Sequence, residues 1–276
     1  MIVAASPTRI IILGAGKSGT SGLFHCVAQS AERHHACAFQ RLFEPKTEDA
    51  LASLSGSHAI TKVLSERLQT FPSPEALLAG FGRRIMIVRD PRDTVVSRLL
   101  WLAATRIGEA APEAASAFLD ALASKEREPQ SFSLLDLYRI AAPVVGFNPE
   151  YAIKARELAF LPIAILERHK DFHTLKYESF VERDLASTEA YLDFPLIGDF
   201  DLPPKAGRIL RAGQQGGWEN WFLDEDDAFF SISQAKRLER LGYSPLRRSP
   251  PAQRIDPQEA TGYVARVQES IRRFGK

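Results

Sequence analysis

Cysteine, net charge and long apolar runs are all scarce in this chain, and each scarcity excludes something. Among 276 residues there are two cysteines, Cys26 and Cys37. They form no CxxC pair and their spacing offers no zinc site; a disulfide between them stays open but unneeded. Lysine and arginine number 35 against 34 acidic residues, a formal net charge of +1. Such a balance carries no electrostatic footprint for nucleic acid. No apolar run approaches the roughly 20 residues of a membrane span. The opening MIVAASPTRI lacks a basic n-region and a long apolar h-region. His25, His34 and His35 have no carboxylates or cysteines at ligand spacing, so no metal is expected. Repeats and low-complexity tracts are missing as well. The expectation is a soluble, cytoplasmic protein. Nothing divides it by a linker, so it reads as one domain over 1–276, with room for a C-terminal helical extension from about residue 247. Oligomeric state is unreadable.

What is there is organised around Arg9 to Phe24, RIIILGAGKSGTSGLF. Ile10 to Leu13 is a short β-branched run that suits a buried strand in a parallel sheet. Gly14 and Gly16 follow, then Lys17, Ser18, Gly19 and Thr20, with a helix-compatible segment from Ser21 to about Ser30. A strand, a glycine-rich turn and a helix start gather unpaired backbone N–H groups about one point. The helix dipole and Lys17 add positive potential there, which describes a site for a phosphate or a similar anion. The ATP/GTP P-loop requires Gly, four residues, then Gly-Lys-Ser/Thr. Gly16-Lys17-Ser18 fits its end, but Ile11 stands where the first glycine should be. The plainer account is a structural turn with a solvated lysine.

Further along, apolar runs alternate with helix-compatible segments. Strands are expected at Ala36 to Phe39, His58 to Leu64, Arg84 to Arg89 and Phe172 to Tyr177. Helices are expected at Glu48 to Leu54, Pro72 to Gly80, Pro91 to Leu102, Glu113 to Ala123, Leu134 to Val145, Tyr151 to Phe160, Asp224 to Leu241 and Gln258 to Phe274. Lys125 to Gln130 reads as a charged, mobile break, and the basic terminal residues from Arg247 to Arg273 as a solvated helix face. The alternation defines an α/β fold with a central parallel sheet flanked by helices.

A second informative stretch is Ile85 to Trp101, IMIVRDPRDTVVSRLLW. A buried strand delivers Arg89 at its C-terminal end, the edge at which open α/β sheets bind ligands. Ser97 lies about two helical turns on. A guanidinium fork with a hydroxyl donor suits a second phosphate. Asp90 as a magnesium ligand is the alternative, as are a surface ion pair for Arg89 and simple hydration for Ser97.

Together these stretches resemble the P-loop sulfotransferase family. Its 5′-phosphosulfate loop is matched by Gly14-Ala15-Gly16-Lys17-Ser18-Gly19-Thr20, and its 3′-phosphate motif by Arg89 through Arg98. Lys176-Tyr177-Glu178 is similar to the family's late Tyr-Glu segment, and Arg211 to Phe222 to its C-terminal nucleotide loop. The motifs run in the family's order from Arg9 to Tyr243. The resemblance implies a P-loop nucleotide-binding fold, transferase activity and 3′-phosphoadenosine 5′-phosphosulfate (PAPS) as sulfuryl donor without a metal. It assigns Gly16, Lys17, Ser18, Gly19, Thr20 and Ser21 to the phosphosulfate, and Arg89, Ser97, Arg211 and Gly213 to the 3′-phosphate. Tyr177 joins the nucleotide site. Many members stack adenine on an aromatic residue of the first loop; here Leu23 and Phe24 stand nearby, leaving Trp218 as the stacking candidate.

Sulfuryl transfer needs in-line positioning and stabilised oxygens. Lys17 is placed to neutralise the leaving phosphate, and Glu44, in Phe43-Glu44-Pro45, to act as base. Members acting on small alcohols and phenols use a histidine after the next strand. Here that strand reads Ile60-Thr61-Lys62-Val63-Leu64; His58 comes too early, and Lys62 is the residue to orient the reacting groups. A capping carboxylate and a surface ion pair are the plainer roles for Glu44 and Lys62. The acceptor implied is a hydroxyl or amine of a glycan or small metabolite. Two other functions stay open: a nucleotide-dependent kinase or NTPase, and a non-catalytic nucleotide-binding protein of the same fold.

Overall fold

A computed structural model describes residues 8–199, 202–203, 216–247 and 254–275. The chain falls into two compact units, one of Met1–Arg89 with Leu161–Leu202, the other of Asp90–Phe160 with Pro203–Lys276.

The first unit holds a five-stranded, all-parallel sheet in the order β2-β3-β1-β4-β5. The strands are β1 (Thr8–Gly14), β2 (Gln40–Phe43), β3 (His58–Leu64), β4 (Arg83–Val88) and β5 (His173–Lys176). Central β1 is fully buried from Ile10 to Leu13, as its unbroken apolar run requires when both faces are covered. The helices of this unit are α1 (Thr20–His35), α2 (Glu48–Ala52), α3 (Ser65–Leu68), α4 (Pro74–Ala79), α9 (Tyr177–Glu182) and α10 (Ala186–Leu192). Leu23, Phe24 and Val27 of α1 pack with Ile10, Ile60, Ile85 and Leu175 of the sheet in one core.

The second strand is not at Ala36 to Phe39. Helix α1 runs on to His35 and stops where Ala36 turns left-handed at φ 50°, so strand pairing begins only at Gln40, opposite Ala59. The extension clusters aromatic rings around His35. Its centroid lies 4.9 Å from His34, 5.5 Å from His58, 5.7 Å from Phe39 and 5.9 Å from Phe194.

Burial, aided by the positive charges of His34 and His58 and opposed by Asp193, lowers the His35 pKa below the ordinary 6.5. Burial also comes first in lowering His25 and His173. A folded-state pKa below the unfolded value means that the unfolded chain takes up protons first. The stability these rings contribute is present above about pH 6.5 and drains away as the pH falls through their folded pKa values. Urea unfolding should have a lower midpoint at pH 5.5 than at pH 7.5, and replacing His35 with asparagine should narrow that difference. An unchanged midpoint would mean that the rings titrate alike in both states.

The second unit is helical, with α5 (Pro91–Arg106), α6 (Pro112–Arg127), α7 (Leu134–Val145) and the first part of α8 (Tyr151–Arg168), and it closes on the C-terminal helix Thr261–Phe274. Asp90 caps α5 by accepting from the Arg92 N–H at 2.9 Å, and Pro91 sits in the first turn, where its missing N–H costs nothing. Phe118, Leu137, Trp221, Phe222 and Tyr263 are among the side chains of its core.

Three expectations for this unit are corrected. Lys125 to Gln130 is a break only in its second half: α6 continues to Arg127, and Lys125 is fully buried. The Lys125 ammonium donates to the carbonyls of Pro129 and Phe132, and burial brings its pKa down to about 8. Those carbonyls replace the water that the charge loses. Next, Asp224 to Leu241 is not one helix. It breaks into a helical turn Asp224–Asp226, a π-helical turn Asp227–Ser231, a 3₁₀ turn Ile232–Gln234 and a helix Ala235–Arg240. Fully buried Asp226 ties the start of this segment to α7, accepting from the N–H groups of Leu134 at 2.8 Å, Leu135 at 3.0 Å and Leu223 at 2.9 Å. The widened π turn lets adjacent rings reach different partners, Phe230 packing on Phe222 and Phe229 lying under Arg156. Finally, Arg247 is no solvated charge, since it pairs with Asp227 at 2.6 Å and donates to the Phe222 carbonyl at 2.8 Å.

Among the described residues no helix is long and apolar enough to cross a membrane, and no cluster of histidine, cysteine or carboxylate groups could hold a metal.

Candidate functional site

The parallel sheet sends the residue after every strand to one edge. There the loop from Ala15 follows β1, Glu44 follows β2, Ser65 and Glu66 follow β3, Arg89 follows β4, and Tyr177 follows β5. All of these belong to the first unit.

The loop is shaped by its glycines. Gly19 stands at φ 94°, and a Cβ there would come within 2.4 Å of the Tyr177 ring. At Gly14 a Cβ would come within 2.7 Å of the Ile87 carbonyl oxygen and 2.6 Å of Ser18 Oγ. Between them Lys17 takes a left-handed φ of 76°, a conformation that costs a side chain roughly 1–2 kcal/mol and that the surrounding turn must hold. The Ser18 N–H closes the turn on the Ala15 carbonyl at 3.1 Å, and α1 begins at Thr20.

Arg89, 7% exposed, leans over this loop. It donates from Nη1 to the Lys17 carbonyl at 3.2 Å and lays its guanidinium over the Tyr177 ring at 4.4 Å. Arg89 Nε and Ser18 Oγ are both buried and have no hydrogen-bond partner among the described residues. Unmatched buried donors are uncommon, because each forfeits its hydration without recompense.

On the β2–β3 side, Lys62 is buried to 2% exposure. Its ammonium donates to Ser21 Oγ at 3.0 Å and forms a close ion pair with Glu44, whose side chain stays 41% exposed. Burial pulls the Lys62 pKa down, while Glu44 and, more weakly, Glu66 push it back up. Glu44 itself has φ 50° and ties its N–H to the Lys62 carbonyl at 3.1 Å. Phe43, 42% exposed, lies beside the pair, with Lys62 Nζ 4.4 Å from its centroid and the His25 ring stacked at 5.9 Å.

Of the residues singled out from the sequence, the first unit brings together Gly16 through Ser21, Glu44, Lys62, Arg89 and Tyr177. Ser97 belongs to the second unit, on α5 and 1% exposed. Arg211 and Gly213 lie outside the described residues. Trp218, the candidate for stacking on adenine, belongs to the second unit. It is 2% exposed in the second unit's core, with the Arg92 guanidinium 3.8 Å from its ring centroid and Phe222 edge-on at 5.0 Å. Asp93 holds this turn by accepting from the Gly216 and Trp218 N–H groups at 3.0 and 2.9 Å.

Sequence reasoning missed Glu66, whose carboxylate accepts from the Gly16 N–H. The signal was at hand: β3 ends at the same edge as β1, so the acid just past it faces the loop. A search for histidine alone passed it over.

The fold and this edge define a parallel α/β protein whose glycine-rich β1–α1 turn is flanked by cationic side chains. No protein-family model and no curated protein matches the chain. Among solved structures it is similar to mouse sulfotransferase SULT7A1 complexed with PAP, at 16% identity over 85% of this chain and 86% of that one, with a TM-score of 0.47.

Proposed function

We propose that the chain transfers a sulfuryl group from PAPS to a hydroxyl or amine of a glycan or small metabolite. The observation that carries this reading is the pair of buried, unmatched donors, Ser18 Oγ and Arg89 Nε, beside a turn that places backbone N–H groups and Lys17 at a helix start. Such donors fit oxyanion ligands. The shortened loop favours a phosphosulfate over a nucleoside triphosphate, and the four motifs stand in the sulfotransferase order.

PAPS supplies the activated sulfuryl group. Gly16 to Ser21 hold its phosphosulfate end, and Arg89 takes the 3′-phosphate, with Ser97, Arg211 and Gly213 as further candidates. Lys17 balances negative charge that grows on the leaving 5′-phosphate. Glu44 takes the acceptor proton as the new O–S bond forms and the S–O bond to phosphate breaks. Lys62 keeps that carboxylate aimed, and Pro45 with the left-handed Glu44 backbone restricts it further. The half-exposed Phe43 and Glu44 set the acceptor on the open side of this edge.

Calorimetry with 3′-phosphoadenosine 5′-phosphate (PAP) and with ATP, each with and without magnesium, tests the donor. PAP should bind without magnesium and more tightly than ATP. Magnesium-dependent ATP binding at higher affinity would overturn the reading in favour of a kinase or NTPase. Labelled PAPS presented to an acceptor panel then separates a transferase from a protein that only binds the nucleotide.

A further inference from the structure

The Gly16 N–H already has an acceptor from the chain. Glu66 on α3 faces it with both carboxylate oxygens, at 3.3 and 3.2 Å. The turn carrying Glu66 has little freedom, because Ser65 before it is fully buried and Leu68 after it is 2% exposed. Glu66 also acts electrostatically on Lys62, raising its pKa. One carboxylate therefore accepts from the Gly16 amide of the loop and acts electrostatically on the cation that holds Glu44.

We propose that Glu66 is a specificity-determining residue: a resident negative charge that makes the loop prefer a terminal sulfuryl group over a terminal phosphoryl group. This rests on the sulfuryl-donor reading above. The physics is a difference in charge. Near neutral pH a terminal sulfate ester carries one negative charge, whereas a terminal phosphate carries nearly two. The two groups match in shape and in the number of acceptor oxygens, so hydrogen bonds from Ser18 and the loop amides serve both alike. A carboxylate at hydrogen-bond distance from the loop opposes the second charge more than the first. Coulomb energies at such separations survive partial solvation, and the discrimination should reach about tenfold. A ligand that displaces Glu66 from Gly16 meets the same ordering, since the displaced charge stays nearby on a rigid turn.

A matched pair of nucleotides tests this, namely PAPS and 3′-phosphoadenosine 5′-diphosphate, which differ only in the terminal group. Dissociation constants are measured without acceptor at pH 7.5 for the wild type, Glu66→Gln and Glu66→Ala, with thermal melts to show that each variant is folded. The wild type should prefer PAPS by about tenfold, and both variants should bring the ratio close to one by gaining affinity for the diphosphate. A purely structural role would weaken both ligands together and leave the ratio alone. An unchanged ratio in the folded variants would overturn the role of Glu66 while leaving the donor assignment standing. Failure of the wild type to bind either nucleotide would take down the donor assignment, and this inference with it.

Discussion

Glu44→Gln should lower kcat by about 10²–10⁴-fold and leave PAP binding intact, the loss expected when a positioned base is removed. The substitution keeps the shape of the side chain and its acceptor oxygen, so the Lys62 ammonium retains a partner. It removes the proton acceptor alone. Glutamate is well placed for the role on three counts. It follows β2 at the edge where the loop and Arg89 stand, its side chain is 41% exposed, and a buried ammonium fixes its direction. The left-handed φ of 50° at Glu44 adds weight, since a strained non-glycine backbone persists only where its surroundings enforce it. Near-normal turnover of Glu44→Gln on the true acceptor would sink the assignment. Attention would then pass to His25, which stacks on Phe43 and whose pKa is lowered by burial and by the charges of Arg41 and Lys62.

Arg89→Ala should weaken PAP binding by roughly 2–5 kcal/mol, the range for removing one partner of a desolvated charge pair, and should weaken AMP binding far less. The comparison is needed because Arg89 has a second task. Its bond to the Lys17 carbonyl and its stacking on Tyr177 support the loop itself. Loss of that support would weaken PAP and AMP to the same degree, whereas loss of a 3′-phosphate contact would weaken PAP alone. Equal losses would reduce Arg89 to a prop for the loop. Arg89→Lys sharpens the test, because it keeps the charge but loses the planar fork, and should recover only part of the PAP affinity.

The sequence by itself determined the elements whose causes are local. Ile10 to Leu13 and Ile85 to Val88 are strands because apolar side chains run unbroken there, and in His58 to Leu64 the β-branched Ile60, Thr61 and Val63 favour a strand around Lys62. The glycine turn and the helix after Pro91 were legible for a similar reason, since backbone freedom at Gly19 and the fixed φ of proline act within a few residues. Sheet order, by contrast, is a matter of tertiary packing, as are the partners that cross it. Glu44 meets Lys62 because β2 pairs with β3 in a register that sets Phe43 opposite Lys62. Glu66 reaches Gly16, fifty residues away, because β3 lies beside β1 with Leu64 opposite Gly14. Burial also reversed a reading made from polarity. Lys125 looked like part of a charged break until α6 carried it into the interior, where two carbonyls replace its water. Trp218 likewise meets its neighbours only in the folded chain, where it joins the second unit's core and lies under Arg92. Composition reports what a side chain can do, but only packing decides whether it meets water, a ligand or another side chain, because desolvation depends on every neighbour at once.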